Sequence, residues 1–181
     1  MKTITLHAGH NPKGKIACGA SDYLDESTEA RYMVKKVKAL LKKQKVTVFD
    51  CTVNNGISQR DVLQKIVAKC NSKNRQMDIS IHFNACNHSV KDGKTKGVEC
   101  HIYNMNSETS LVAHNICEKV AKLGFTNRGV KESKQLYFLR HTAKPAILIE
   151  VCFVDDYDDA VLYKKCKNEI AKAIADAIAT W

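Results

Sequence analysis

The stretch Pro145-Ala146-Ile147-Leu148-Ile149-Glu150-Val151-Cys152-Phe153-Val154 is almost continuously apolar and opens behind a proline. A short run of this kind is the signature of a strand covered on both faces. Such a strand needs a layer on each side, so the flanking chain must supply neighbouring strands and helices. Lys2 to His7 alternates Ile4 and Leu6 with Thr3, Thr5 and His7, as a half-buried strand does, and it ends at Ala8-Gly9. After a loop containing Pro12, Gly14 and Gly19, the spacing of Met33, Val34, Val37, Leu40 and Leu41 predicts a helix, with Asp25 or Ser27 as its cap. Val46 to Phe49 reads as a short strand, and Val62, Leu63, Ile66 and Val67 as a second helix. In Asp78 to Phe83, Ile79, Ile81 and Phe83 oppose Asp78, Ser80 and His82. Gly97 to Tyr103 alternates again as a strand open to either direction, Leu111 to Val120 is helical, and Ile170, Ile174, Ala177 and Ile178 mark a final helix. Strands alternating with helices predict an α/β fold: one domain over residues 1–181, with a twisted, mostly parallel mixed sheet of about six strands and helices on both faces.

Composition agrees with one folded domain. The 181 residues are 44% hydrophobic and 27% charged with only 8 Gly and 2 Pro, which excludes a disordered tail, a collagen-like repeat or a low-complexity linker. The balance of 29 Lys+Arg against 19 Asp+Glu gives +10, which favours polyanionic partners. Lysines fall along helices and in short clusters without an aromatic-interleaved motif, a Cys/His finger or a bZIP-like run, so nucleic acid is not the expected partner. The eight cysteines are widely spaced, with no CxxC knuckle, and several sit in apolar runs as free thiols do. That usage fits synthesis in a reducing cytoplasm. The amino terminus lacks the apolar core of a secretory signal, and no stretch approaches a membrane span.

Glu150 is the most informative residue, because it places a carboxylate inside the most apolar strand, where an unpaired charge is costly. It is either a buried ion pair or a functional base, and in open α/β sheets ligands gather beyond the carboxyl ends of the strands. His82 lies near the end of its own strand, and His10 follows the first strand in His7-Ala8-Gly9-His10. Two imidazoles and a carboxylate are a common zinc set. Glu26 and Glu29 begin the first helix, where either reaches the same edge or simply complements the helix dipole.

These residues resemble the zinc-dependent N-acetylmuramoyl-L-alanine amidases of the amidase 3 type, found in bacterial autolysins and phage endolysins, nearly end to end. The resemblance rests on Gly9-His10, Asp25-Glu26, Ser80-Ile-His82-Phe-Asn-Ala85, Asn127-Arg-Gly-Val130, Leu136-Tyr-Phe-Leu-Arg140 and Pro145 to Phe153. It implies that His10, Glu26 and His82 hold one Zn2+ and that Glu150 is the catalytic carboxylate, with Glu29 the rival to Glu26. The Asp25-Glu26-x-x-Glu29-x-Arg31 pattern is similar to clostridial phage lysins. Three positions depart from the family pattern: Asn11-Pro12 replaces a common Gly-Gly, Cys152 stands where Gly is frequent, and His7 adds an imidazole.

The resemblance implies hydrolysis of the amide joining N-acetylmuramic acid to L-alanine in peptidoglycan, with zinc bringing the pKa of a water towards ~7 and Glu150 moving its proton. Arg128 and Arg140 are cationic positions open to either substrate contact or ion pairing, and the substrate-binding residues are unassigned. It further implies a monomeric phage or prophage lysin, made in the cytoplasm without a signal peptide and acting on the wall after release. Anionic wall polymers are additional partners for +10, and no separate wall-binding module is expected in this chain. Competing readings are a cysteine nucleophile (Cys86 near His82 and His88, or Cys152 beside Glu150), a non-catalytic basic wall-binding module, and a host autolysin with the same chemistry.

Overall fold

The computed structural model describes residues 2–181. In chain order the elements are β1 (Thr3–Ala8), α1 (Glu26–Lys43), β2 (Thr47–Asp50), α2 (Gln59–Asn71), β3 (Met77–Asn84), β4 (Val98–Ile102), α3 (Thr109–Ala121), β5 (Asn127–Glu132), α4 (Tyr137–His141), β6 (Ala146–Phe153) and α5 (Tyr157–Ala179). The six strands form one sheet in the order β2-β1-β3-β6-β4-β5. β2, β1, β3 and β6 run parallel, whereas β4 pairs antiparallel with β6 and carries β5 parallel to itself. The alternating stretch at Gly97 is therefore the strand that reverses direction.

Period-two alternation assigns side chains to two unlike faces. Ile4, Leu6, Ile79, Ile81, Ile147 and Ile149 face α1, α3 and α5, and all six are fully buried. The opposite face packs a smaller cluster in which Ala146 and Leu148 meet Val62 and Ile66 of α2 and Phe138 and Leu139 of α4. Polar residues concentrate on that thinner face: Thr5 and His7 of β1, Asp78, Ser80 and His82 of β3, and Glu150 of β6. Between α2 and α4 it retains a cleft of about 380 Å³.

Two local devices aim chain at this cleft. The Asp25 carboxylate accepts the Thr28 N–H at 2.9 Å and the Ser27 hydroxyl at 3.1 Å, so Asp25, not Ser27, caps α1. That cap makes Glu26 the first residue of the helix, adjacent to the ends of β1 and β3. Asp78, at the opposite end of β3, is held by a bidentate Arg75 at 2.8 and 2.9 Å and is wholly buried.

Candidate metal centre

His10, Glu26 and His82 come from a loop after β1, the first turn of α1 and the end of β3, and they offer ligand atoms all within 4.8 Å of one another. His10 Nε2 lies 3.2 Å and His82 Nδ1 3.1 Å from the same oxygen, Glu26 Oε1. That oxygen also accepts the Phe83 N–H at 3.2 Å, while Oε2 accepts the Ala20 N–H at 2.9 Å. The two rings meet edge to face at 4.9 Å. Burial by itself would raise the Glu26 carboxyl, but the hydrogen bonds of His10 and His82 outweigh it and hold the group well below the usual carboxylate range.

Two glycines leave the space this cluster occupies. A Cβ on Gly9 would stand 1.9 Å from the His82 ring, and one on Gly19, whose φ is +81°, would stand 2.3 Å from Glu26 Oε2. Among the described residues, Glu26 has ion-pair contacts with imidazoles alone. A buried carboxylate facing two lone-pair donors, with no ammonium or guanidinium among them, fits a divalent cation, and the N,N,O donor set suits zinc. The buried His10 Nδ1 has no partner of its own.

Glu29, the rival first-turn carboxylate, is directed elsewhere: it accepts the Tyr163 hydroxyl at 2.8 Å and approaches Lys167 at 3.8 Å, both on α5. His7 is also separate from the cluster. Its ring packs edge-on against Phe138 at 4.8 Å, and burial pushes its pKa down to about 3. Asn11, the departure from the Gly-Gly pattern, is buried and clasps Gly56, accepting its N–H at 3.0 Å and donating to its carbonyl at 2.8 Å. Arg31 completes the fastening by donating to the backbone carbonyls of His10 at 2.7 Å, Val53 at 3.0 Å and Ser27 at 3.1 Å. The loop bearing His10 is thus tied to α1 and to the loop after β2.

Glu150 stands in register with His82 on one side and Glu99 on the other. Its Oε2 is buried without a hydrogen-bond partner. Burial, reinforced by the charges of Glu26 and Glu99, pushes its carboxyl well above the usual range. Glu99 is the opposite case. Burial would raise it too, but Lys131 at 2.5 Å, Arg128 at 2.6 Å and His101 at 3.2 Å hold it down to about 2. Arg128 is thereby placed in an ion pair, and Arg140 lies exposed on α4, lining a separate hollow with Tyr103 and Pro145. Of the two cysteines read as candidate nucleophiles, Cys86 is exposed with its N–H bound to Asp155, and Cys152, where a register shift in β6 breaks the alternation, is buried in the larger core cluster, its thiol pushed well up by burial.

The sequence reading does not single out Glu99 or His101, and it meets Arg31 and Asn11 only as parts of a pattern, without a role at the site. For the first two a signal existed: in Val98-Glu99-Cys100-His101-Ile102 they share the polar face of an alternating strand, the argument that singled out His82.

Residues 4–180 match the family described as N-acetylmuramoyl-L-alanine amidase. An uncharacterized protein of Clostridium perfringens strain 13 is 35% identical over 97% of this chain and 51% of its own length. The endolysin of Bacillus phage SPP1 is 31% identical over 98% of this chain and 65% of its own. The chain spans about half the length of the first curated relatives it matches. Among solved structures, the catalytic domain of the CD27L endolysin targeting Clostridia Difficile superposes with a TM-score of 0.87 at 26% identity, covering 99% of this chain and 98% of that one.

Proposed function

Because the chain belongs to the N-acetylmuramoyl-L-alanine amidase family, we propose that it hydrolyses the amide between N-acetylmuramic acid and L-alanine in peptidoglycan, as a phage or prophage lysin. The observation that carries this reading is the convergence of His10, Glu26 and His82 within 4.8 Å, beside a buried carboxylate that has no cationic partner among the described residues and no hydrogen-bond partner at Oε2. In this reading these three residues hold one zinc ion. Such an ion supplies Lewis acidity and positive charge, lowering the pKa of a water, polarising a carbonyl and opposing the rise of a neighbouring carboxyl.

The remaining work falls to the chain. Glu150 takes a proton from the attacking water and returns it to the departing alanine nitrogen, for which a carboxylate raised by burial is suited. Glu26 stays ionised to anchor the imidazoles. Arg31 and Asn11 keep the His10 loop in place. Gly9 and Gly19 keep open the space the cluster needs. The cleft between α2 and α4 admits the peptide stem. No helix among the described residues is long and apolar enough to cross a membrane, and the site of action in this reading is the cell wall.

The test is mass spectrometry of purified walls after digestion. New alanine amino termini are expected with the intact protein, forming about 10²–10⁴-fold more slowly with Glu150→Gln. A severed glycosidic bond, or unchanged cleavage by Glu150→Gln, would remove the reading.

A further inference from the structure

A broad hollow lies outside the cleft, along α1 and the edge strand β2. It measures about 650 Å³ and is lined by Arg31, Lys35, Lys38 and Lys42, with Asp50 its single carboxylate. A second hollow of about 320 Å³ shares Lys38 and Lys42 and adds Lys45, so the two form one trough down the side of the sheet. The helix sets this alignment: positions 35, 38 and 42 follow i, i+3, i+7 and share one face over about 10 Å. Lys38 lies 3.6 Å from Asp50, which leaves the other cations of the trough without a carboxylate in it. At its upper end stand Asn54 and Arg31, whose guanidinium touches the His10 carbonyl at 2.7 Å, so whatever occupies the trough passes beside the metal-centre loop.

We propose that this trough binds a linear phosphodiester polymer of the cell wall and so holds the domain against its substrate; the wall as location rests on the reading above. Three observations select this occupant. A concave basic channel suits a thread of repeated anions better than a flat anionic membrane. Lysines in helical sequence offer mobile point charges for successive phosphates rather than the planar forks that read bases. No aromatic side chain lines either hollow, so the stacking platforms of single-stranded nucleic-acid sites are missing from it.

The experiment measures binding of the intact chain to poly(glycerol phosphate), to oligo-dT and to poly-glutamate across a salt series. The variants are Lys35→Gln/Lys38→Gln/Lys42→Gln, the milder pair Lys35→Gln/Lys42→Gln, and a control that removes the same charge from the exposed Lys122, Lys164 and Lys165, with far-UV circular dichroism confirming the fold. Expected are tightest binding to poly(glycerol phosphate), a loss of about tenfold or more in the trough triple, an intermediate loss in the pair, a shallower salt slope for both, and a control within about twofold of the parent. Equal losses in trough and control variants would reduce the effect to net charge and overturn the site. Tighter binding of oligo-dT, lost at the same lysines, would reassign it to nucleic acid, and equal binding of poly-glutamate would remove the phosphodiester preference. The readout involves no turnover. Absent polymer binding with intact wall cleavage therefore overturns the trough alone, whereas polymer binding without cleavage overturns the amidase reading alone.

Discussion

The two faces of the sheet are made by the same strands yet differ in almost every physical respect. Ile147, Ile149 and Val151 of β6 are fully buried against a three-helix layer. Their neighbours Leu148 and Glu150 face a two-helix layer that leaves a cleft. The polar face holds three strand-borne carboxylates whose circumstances separate structure from chemistry. Asp78 is clamped by Arg75, and Glu99 by Arg128 and Lys131. Glu150 has no cationic partner among the described ion pairs, and its Oε2 is unsatisfied. The packed face supplies stability, and the thin face keeps one buried carboxyl without a hydrogen-bond partner at Oε2, a cost that the proposed catalytic role would account for.

The largest effect should come from removing that group. Glu150→Gln is expected to lower turnover by about 10²–10⁴-fold while leaving the thermal midpoint equal or higher, because it removes an ionisable group from a buried position. A variant that loses activity by unfolding would erase the distinction between the faces. Next, Ile149→Ala on the packed side is expected to cost about 2–5 kcal/mol in urea unfolding. Leu148→Ala should cost less, since its side chain borders an open cleft. Equal costs would show the thin face to be as tightly packed as the other.

A smaller effect is expected at Arg31, which acts on the site through the His10 backbone. Arg31→Met should weaken metal affinity by about 10–100-fold in chelator competition, the usual range for residues that orient ligands. It should also alter the cobalt-substituted visible spectrum, and an unchanged spectrum and affinity would assign Arg31 to loop stability alone. The smallest effect concerns Glu99. Its folded pKa of about 2 lies below the ordinary 4.5, so its contribution to stability is complete above pH 4.5 and is lost as pH falls towards 2. Urea midpoints at pH 5 and pH 2.5 should differ less in Glu99→Gln than in the parent. An identical acid dependence would contradict the network.

Much of this contrast is legible in the sequence. Alternation located β1, β3 and β4, and the misfit of one carboxylate in an apolar strand marked Glu150. The imidazoles at two strand ends converge as expected. What escaped was built by long-range contacts or by short elements. Asn127–Glu132 is an edge strand without a buried residue, so it has no apolar stripe to read, and α4 is too short for helical periodicity. Residue spacing left Glu26 and Glu29 equivalent. Only the three-dimensional path of α1, which turns Glu29 towards Tyr163 on α5, separates them. Arg31 fastens carbonyls from three separate segments, a pattern carried by backbone atoms and therefore absent from side-chain identity.

Metal stoichiometry measured by atomic emission on the parent and on His10→Ala, Glu26→Gln, His82→Ala, Glu29→Gln and Glu150→Gln tests the centre most directly. The account predicts one zinc per chain in the parent, Glu29→Gln and Glu150→Gln, and its loss in the other three. Retention of zinc by Glu26→Gln together with loss from Glu29→Gln would contradict it.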